Sequence, residues 1–238
     1  MSSDLKSFPR PSVAVDVAVL SVVPSGDELR LSVLCIPSSQ SDRRHIRRGT
    51  GTYEGEWSLP GSFVRERERL DDAVQRTLRD KCGVEGLRPT QLVVLDDPSR
   101  DDRGWVLSVA HLDTVPVGRA VELLQRTDVR WVPVREGASA RQSVLELPDR
   151  QRRLPFDHEE IVRHAVDRLR SVYEERPDPH GLLDEPFTVL ELRRLHEAVL
   201  GEPLQKDTFR RTMLPGLVRT ASVETGSVGR PARRYRRR

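Results

Sequence analysis

The sequence predicts an α/β domain with a mixed β-sheet, followed by a small helix-turn-helix domain at the C-terminus. Runs rich in valine lie on both sides of one amphipathic helix, and strands that flank a helix are typical of the α/β class. Two short helical patterns and a basic, glycine-containing tail predict the second domain. The 238 residues suffice for one medium and one small domain.

Composition indicates a globular protein with a heavily charged surface, since 36% of its residues are hydrophobic and 32% are charged. Both cysteines, Cys35 and Cys82, lie in apolar runs, which predicts reduced core residues. No apolar run reaches membrane-spanning length, and the start "MSSDLKSFPRP" has no signal-peptide core. We therefore expect a cytoplasmic protein without a membrane partner.

Charge is distributed unevenly along the chain, although the net charge is only +3. Residues 186–238 contain 12 Lys/Arg and 5 Asp/Glu, a balance of +7, which leaves −4 for residues 1–185. A compact basic end on an acidic body predicts two kinds of partner, with nucleic acid as the first candidate for the basic end.

Five segments of the larger domain read as strands, by β-branched content and by bounding Gly, Pro and Asp residues. They are 12–23, 29–36, "QLVVLDDP" from Gln91, "GWVLSVAHLDTV" from Gly104 and "VRWVPV" from Val129. A polar loop is predicted at 37–52. Its cluster Arg43, Arg44, His45, Arg47 and Arg48 could meet phosphates, but a solvated loop is favoured.

The stretch 60–84 predicts a glycine turn and one amphipathic helix. Its inward face is predicted to comprise Leu70, Ala73, Val74, Thr77, Leu78 and Cys82, and its outward face Glu68, Asp72, Arg76 and Asp80. A second amphipathic helix is predicted at 156–175, with Asp157 as N-cap and Glu160 completing a capping box. The segment 176–186 then predicts a linker, because Pro and Gly interrupt any regular pattern.

The C-terminal pattern predicts a winged helix-turn-helix. A helix over 187–201 begins with Thr188 as N-cap and Glu191 at the capping-box position, and it ends at a glycine. A short helix from Lys206 follows and must end before Pro215. Phe209 and Met213 are expected to pack inward. The domain boundaries predicted are 1–155 for the first domain, 156–186 for the connecting helix and linker, and 187–238 for the winged helix-turn-helix.

The first domain resembles the Nudix family, whose box reads G-x5-E-x7-R-E-U-x-E-E-x-G-U, with U aliphatic. Here Ser62 and Glu68 are followed by "RTLRDKCGV" from Arg76 at matching spacing, and "EWSLPG" precedes them. The resemblance covers most of residues 12–175. It implies a Nudix fold, and Nudix chemistry needs divalent cations held by clustered carboxylates.

The box departs from the family at its metal-binding positions. Its glycine is Ser62, although Gly61 beside it is kept, and the three helical glutamates are Thr77, Asp80 and Lys81. A lysine both removes a ligand and repels a cation, by roughly 4 kcal/mol for unit charges about 4 Å apart at an effective dielectric of 20. Glu68 and Asp80 could hold one weak Mg²⁺. We therefore expect no catalytic residues, no required cofactor or metal and no useful hydrolase activity.

A basic side chain can pair with a pyrophosphate directly, so the pocket could bind a nucleotide that it does not cut. The candidate effector-binding residues are Trp57, Gly61, Glu68, Arg76 and Lys81. Two alternatives stay open, because Trp57 could be a core residue and Arg76 could simply pair with Glu68 or Asp72.

The layout resembles the NrtR family, Nudix-related transcriptional regulators, in "FTVLELRRLHEAVLGEPLQKDTFRRTMLPGL", "GRPARRYR" and "LPFDHEEIV". The resemblance implies a dimeric repressor of NAD synthesis and salvage genes. It also implies that ADP-ribose, or a related NAD metabolite, is the effector that releases the protein from double-stranded DNA.

In this scheme the helix 206–214 enters the major groove, with Thr208 and Arg210 near base edges. The residues expected to contact phosphates or a minor groove are Lys206, Arg211, Arg230, Arg233, Arg234 and Arg236. For the last three arginines of the chain a solvated, disordered end is favoured. A homodimer would read a palindromic operator.

Two other functions are open from sequence. The first is an active Nudix pyrophosphatase acting on ADP-ribose, with a basic docking tail. The second is an RNA-binding Nudix module, which the helix-turn-helix disfavours, because a recognition helix fits the major groove of DNA but not the deep, narrow groove of RNA.

Overall fold

The structure, a computed structural model, describes residues 7–38, 56–137, 143–147, 151–223 and 232–238. Its larger sheet has the strand order β5-β6-β1-β2-β7-β8, with β3 paired to β2 and β4 paired to β1. The strands are β1 (Ser12–Ser25), β2 (Glu28–Pro37), β3 (Trp57–Ser58), β4 (Gly61–Phe63), β5 (Thr90–Leu95), β6 (Val106–Thr114), β7 (Arg130–Glu136) and β8 (Ser143–Leu145).

The sheet is mixed, as predicted, because β1 runs parallel to β6 and antiparallel to β2. Helices cover both of its faces. Side chains alternate along a strand, so Val15, Val17 and Val19 of β1 enter the core on one face. Ala18 and Leu20 enter the core on the other face. Burial on both faces explains why β1 reads as a nearly continuous apolar run.

One face is covered by α1 (Leu70–Thr77), a π-helical turn (Leu78–Cys82) and α2 (Val117–Leu123). The predicted inward side is confirmed, because Ala73, Val74, Thr77, Leu78 and Cys82 are all buried and Leu70 packs beside them. The helix begins only at Leu70, so Glu68 lies in the preceding turn. The seven residues of α2 are too few to give a clear helical period, and the sequence did not predict this helix.

The other face is covered by α3 (His158–Tyr173) and by the C-terminal elements, which share one continuous core with the sheet. These are β9 (Phe187–Thr188), α4 (Val189–Leu200), α5 (Lys206–Met213), a 3₁₀ turn (Leu214–Gly216), β10 (Leu217–Val223) and β11 (Arg233–Arg237). The small sheet has the order β10-β11-β9. A helix-turn-helix followed by a β-wing is thus present, as predicted.

The capping box of α4 is confirmed: Glu191 N–H donates to Thr188 Oγ1 at 3.1 Å, and Thr188 N–H donates to Glu191 Oε2 at 2.6 Å. The box predicted for α3 is wrong. Asp157 occupies the N-cap position, but its side chain makes no cap hydrogen bond. Its carboxylate is bound instead by Arg100, a charged donor that outcompetes a backbone amide.

The expectation of a solvated, disordered C-terminus is also wrong. β11 continues through Arg237, and Arg238 N–H donates to Gly216 O at 3.1 Å. Arg237 is held by the fully buried Asp178, so the end of the chain is anchored to the segment 176–186. That segment is irregular, as its prolines and glycine predict, yet it carries buried side chains such as Asp178 and Leu182.

The predicted state of the cysteines is confirmed, because Cys35 and Cys82 are both free and buried. Across the described ranges, no helix has the length and apolar character that crossing a bilayer requires.

Candidate effector cleft and DNA interface

A cleft of about 460 Å³ opens where β1, the Nudix-box turn and the N-terminus of α3 meet. Charged side chains of both signs point into it. Its charged and aromatic lining consists of Asp16, Phe63, Lys81, Arg100, Asp101, Arg103, Asp128, Phe156 and His158. The cleft therefore lies at the boundary between the Nudix fold and the helix that leads to the winged domain.

Two box positions that differ from the family form a hydroxyl pair. Ser62 Oγ and Thr77 Oγ1 are 2.6 Å apart, and Thr77 Oγ1 lies 2.7 Å from Ala73 O. Because the Thr77 hydroxyl donates its proton to that carbonyl, Ser62 must be the donor within the pair. Neutral, mutually satisfied oxygens thus stand where a metal-binding box places a carboxylate.

Lys81 brings a positive charge to the cleft, as predicted. Its Nζ donates to Gly61 O at 2.5 Å, and no carboxylate in the described part of the chain pairs with it. Gly61 itself is required by close approach, because a Cβ at this position would lie 1.9 Å from Asp16 Oδ1. The predicted effector residues Gly61 and Lys81 therefore both line the cleft.

Glu68 and Arg76 form a bidentate ion pair outside the cleft lining. Arg76 Nε lies 2.7 Å from Glu68 Oε1, and Arg76 Nη2 lies 2.8 Å from Glu68 Oε2. The hydrogen bonds from Arg76, together with one from Arg65 N–H, lower the pKa of Glu68 to about 2. Arg76 also donates to Phe63 O at 3.1 Å. This geometry matches the alternative in which Arg76 serves to pair with Glu68.

Trp57 is half-buried against the core and does not line the cleft. Its backbone N–H donates to Gln151 Oε1 at 2.8 Å, and its carbonyl accepts from Gln151 Nε2 at 2.7 Å. The guanidinium of Arg130 lies 5.5 Å from the centre of its ring. This position matches the alternative in which Trp57 is a core residue.

Asp16, on β1, is a buried carboxylate in the cleft that sequence reasoning missed. Ser108 Oγ donates to it at 2.5 Å, and His158 Nε2 lies 3.5 Å from its Oδ1. Leu59 N–H donates to His158 Nδ1 at 3.2 Å, so the ring proton sits on Nε2 and faces Asp16. Burial opposes ionisation, but hydrogen bonds from His158 and Ser108 and the charge of Arg100 hold the pKa of Asp16 below its ordinary value.

Two arginines of the cleft, also missed from sequence, are already neutralised by carboxylates. Arg100, with its side chain only 4% exposed, donates to Asp157 through Nε at 2.7 Å and through Nη2 at 2.5 Å. Arg103 donates to Asp101 at 2.8 and 2.6 Å. The alternating acids and arginines of "DDPSRDDRG" indicate ion pairs. The sequence near Arg100 does not, however, reveal that its partner is Asp157, which lies 57 residues away.

Aromatic rings flank Arg103 on two sides. Its guanidinium carbon lies 5.2 Å from the centre of the Phe63 ring and 5.0 Å from that of Phe156, within cation–π range. Over the described ranges, no group of three or more His, Cys, Asp or Glu side chains is arranged to hold a metal ion.

The second charged surface lies on the winged domain. A groove of about 530 Å³ runs between the start of α4, the recognition helix α5 and the wing strand β11. Lys206 and Arg210, one turn apart on α5, line it together with Arg233. Phe209 and Met213 are buried on the inner side of α5, as predicted. Arg193, which sequence reasoning missed, also lines this groove and holds the turn by donating to Leu204 O at 3.1 Å.

The other predicted DNA-binding residues are placed differently. Thr208, Arg211 and Arg236 are exposed. Arg234 is half-buried, with its Nη1 3.5 Å from Pro186 O. Arg230 lies outside the described residues, and so does the predicted loop cluster Arg43, Arg44, His45, Arg47 and Arg48.

Comparison with known proteins agrees with this architecture. The family model described as the NrtR DNA-binding winged helix domain matches residues 179–237. The crystal structure of Shewanella oneidensis NrtR matches with a TM-score of 0.67 at 28% identity, over 95% of this chain and 94% of that one. The chain is similar to NrtR over nearly its whole length. The prediction of a Nudix fold followed by a winged helix-turn-helix is thereby confirmed.

Other relatives extend the comparison. Shewanella oneidensis NrtR complexed with a 27mer DNA matches with a TM-score of 0.68 at 29% identity, covering 95% of this chain and 93% of that one. The "ADPR responsive transcriptional repressor NtrR" of Acinetobacter baylyi is 28% identical over 96% of this chain and 83% of its own length. A MutT/nudix family protein from Enterococcus faecalis shares the fold, with a TM-score of 0.70 at 23% identity over 99% of this chain and 90% of that one.

Proposed function

We propose that this chain is an NrtR-type DNA-binding repressor of NAD biosynthesis and salvage genes. It is released from its operator when ADP-ribose, or a related NAD metabolite, binds in the Nudix cleft. The observation that carries the proposal is the cationic groove of the winged domain, where Lys206, Arg210 and Arg233 project from a recognition helix and wing fixed to the Nudix core. An Acinetobacter relative named as an ADPR responsive repressor supports the choice of effector.

The scheme assigns the residues of both surfaces. The protein acts as a cytoplasmic homodimer on a palindromic operator. Each chain directs Thr208 and Arg210 to base edges, while basic side chains of α5 and the wing contact phosphates. In the cleft, Lys81 is the cation that a diphosphate can reach most easily. Among the described residues, its ammonium group binds only the carbonyl of Gly61 and no carboxylate.

DNA binding is tested by fluorescence anisotropy on duplexes from promoters of NAD-synthesis and salvage genes, against scrambled duplexes. We expect nanomolar, sequence-dependent and steeply salt-dependent binding that ADP-ribose reverses. Arg210→Ala should cost about 1–3 kcal/mol and relax specificity, while Lys206→Ala should reduce the salt slope by about 1. Arg168→Ala, an exposed arginine on α3, is the matched control. Equal affinity for scrambled DNA would exclude a specific repressor.

We further propose that the Nudix domain does not hydrolyse its effector. The hydroxyl pair of Ser62 and Thr77 offers no charge to a metal ion, and the Lys81 ammonium opposes one. Wild-type protein should therefore release no AMP from ADP-ribose with Mg²⁺ or Mn²⁺. Turnover that Glu68→Gln abolishes would favour the alternative, an active pyrophosphatase with a basic docking tail.

A further inference from the structure

We propose that Arg100 binds the diphosphate of the effector and, by leaving Asp157 to do so, releases one of the contacts that hold the N-terminus of α3 to the cleft and thereby signals to the winged domain. The inference rests on the proposed function and names the regulation of the same cleft. It follows from four features: the position of α3, the unused cap at Asp157, the burial of Arg100 and the contacts at the far end of the helix.

The start of α3 forms one wall of the effector cleft. Three successive residues, Phe156, Asp157 and His158, are each held by a different part of the Nudix domain. Phe156 packs on the guanidinium of Arg103, and His158 is fixed by Leu59 N–H and faces Asp16. Phe156 also has a φ of 56°, a left-handed conformation that a phenylalanine adopts only when its surroundings impose it. The helix terminus is thus pinned to the cleft rather than merely adjacent to it.

Asp157 has a second set of partners that it does not use in this structure. It occupies the N-cap position, where an aspartate normally accepts hydrogen bonds from amides of the first turn. Here its two oxygens are both taken by Arg100. If Arg100 leaves, the carboxylate can turn to the N–H of Glu159, which, unlike those of His158, Glu160 and Ile161, donates to no backbone carbonyl in the described structure. The dipole of α3 also favours a negative charge at this end. Asp157 therefore has two discrete arrangements, which a switch requires.

Arg100 is placed to exchange partners. Its guanidinium lines the cleft and lies 3.7 Å from the buried carboxylate of Asp16, so it remains partly compensated when it releases Asp157. A guanidinium binds phosphate oxygens in the same bidentate geometry as a carboxylate. A diphosphate carries more negative charge than the single carboxylate of Asp157, and it can therefore displace it.

The far end of α3 is bound to the helix-turn-helix. Arg170 Nε donates to Val199 O of α4 at 2.9 Å, and His196 Nδ1 donates to the carbonyl of Tyr173 at 3.0 Å. The 16 residues of α3 span about 24 Å at 1.5 Å per residue. A rigid helix that moves at its cleft end must shift or rotate along its whole length, and these contacts carry that motion to α4.

The test uses the full-length protein, ADP-ribose as the probe and an operator duplex shown to bind the wild type. Asp157→Asn keeps a capping side chain but loses the charge that holds Arg100. In this variant, we expect the affinity for ADP-ribose, measured by calorimetry without DNA, to rise about tenfold. Without effector, we expect operator affinity to fall at least about fivefold, because linkage makes the two effects reciprocal.

Two further variants sharpen the result. Arg100→Gln should weaken ADP-ribose binding at least about tenfold, since it removes the proposed phosphate ligand. Asp102→Asn is the matched control, because it removes one negative charge from the same loop as Arg100, but its side chain is exposed and does not line the cleft. It should leave operator affinity within about twofold of the wild type.

The outcomes separate this inference from the function on which it rests. If ADP-ribose releases wild-type protein from DNA while Asp157→Asn leaves both affinities unchanged, the exchange at Arg100 is wrong and the repressor function stands. If wild-type protein ignores ADP-ribose, the proposed function itself is wrong. If Asp157→Asn folds poorly, Asp157→Ser replaces it in the test. Serine also caps a helix but cannot form the ion pair, so we expect the same two changes in affinity.

Discussion

Replacing Asp178 by asparagine should destabilise the junction between the two domains. The Asp178 carboxylate has no exposed surface and accepts from Tyr173 Oη at 2.7 Å, Leu182 N–H at 2.8 Å and Leu183 N–H at 2.9 Å. Arg237 adds a charged donor. Asparagine keeps the size of the side chain and tolerates the φ of 48° at this position. It removes the charge, however, and turns an NH₂ group toward groups that are themselves donors.

The expected loss follows from those contacts. A hydrogen bond to a charged group contributes roughly 1.5–3 kcal/mol, and a buried donor left unsatisfied costs about 1–3 kcal/mol. The sum, about 2.5–6 kcal/mol, brackets the roughly 3–5 kcal/mol that breaking a buried ion pair typically costs. For a loss of about 3–5 kcal/mol at about 3 °C per kcal/mol, the melting temperature should fall by about 9–15 °C.

The assay is urea and thermal unfolding of the wild type, Asp178→Asn, Arg237→Gln and the double variant. Because the two residues contact each other, the double variant should lose about 1–3 kcal/mol less than the sum of the single losses. Operator affinity should fall in both single variants, since Arg237 belongs to the wing strand β11. A loss below about 1 kcal/mol for Asp178→Asn, or strictly additive losses, would refute the reasoning.

Three further predictions concern other parts of the molecule. Burial lowers the pKa of His196 in the folded protein to about 4, whereas in the unfolded chain the same histidine has a pKa near 6.5. As the pH falls, His196 is therefore protonated in the unfolded chain before it is protonated in the folded protein. The free energy of unfolding should therefore decrease between pH 6.5 and pH 4 by up to about 1.4 kcal/mol per pH unit, and His196→Gln, compared in pH-dependent urea unfolding, should lack this contribution. Thr188→Ala should cost about 1 kcal/mol in urea unfolding by removing the cap of α4, whereas Thr188→Ser should retain it; equal losses would contradict the role of the cap. Gly61→Ala should lower both the melting temperature and the affinity for ADP-ribose in a thermal-shift titration, because its Cβ would displace Asp16, and unchanged values would show that the cleft adapts.

The sequence alone determined the features that depend on near neighbours. The valine run of β1, buried on both faces, and the inward face of α1 were readable from periodicity. The capping box at Thr188 was readable because its partner is three residues away. The substitution of Thr77 and Lys81 for metal-binding glutamates was likewise visible from spacing within the box.

The tertiary structure decided which charged groups pair with each other. Asp157 was expected to cap its own helix, but folding brings Arg100 to it from 57 residues away, and Arg237 reaches Asp178 across 59 residues. Arg76 likewise pairs with Glu68 and does not line the cleft. Patterns within a few residues follow from backbone geometry. Which of several carboxylates pairs with a given guanidinium depends instead on how the sheet, α3 and the winged domain pack, and the spacing of residues along the sequence does not determine that packing.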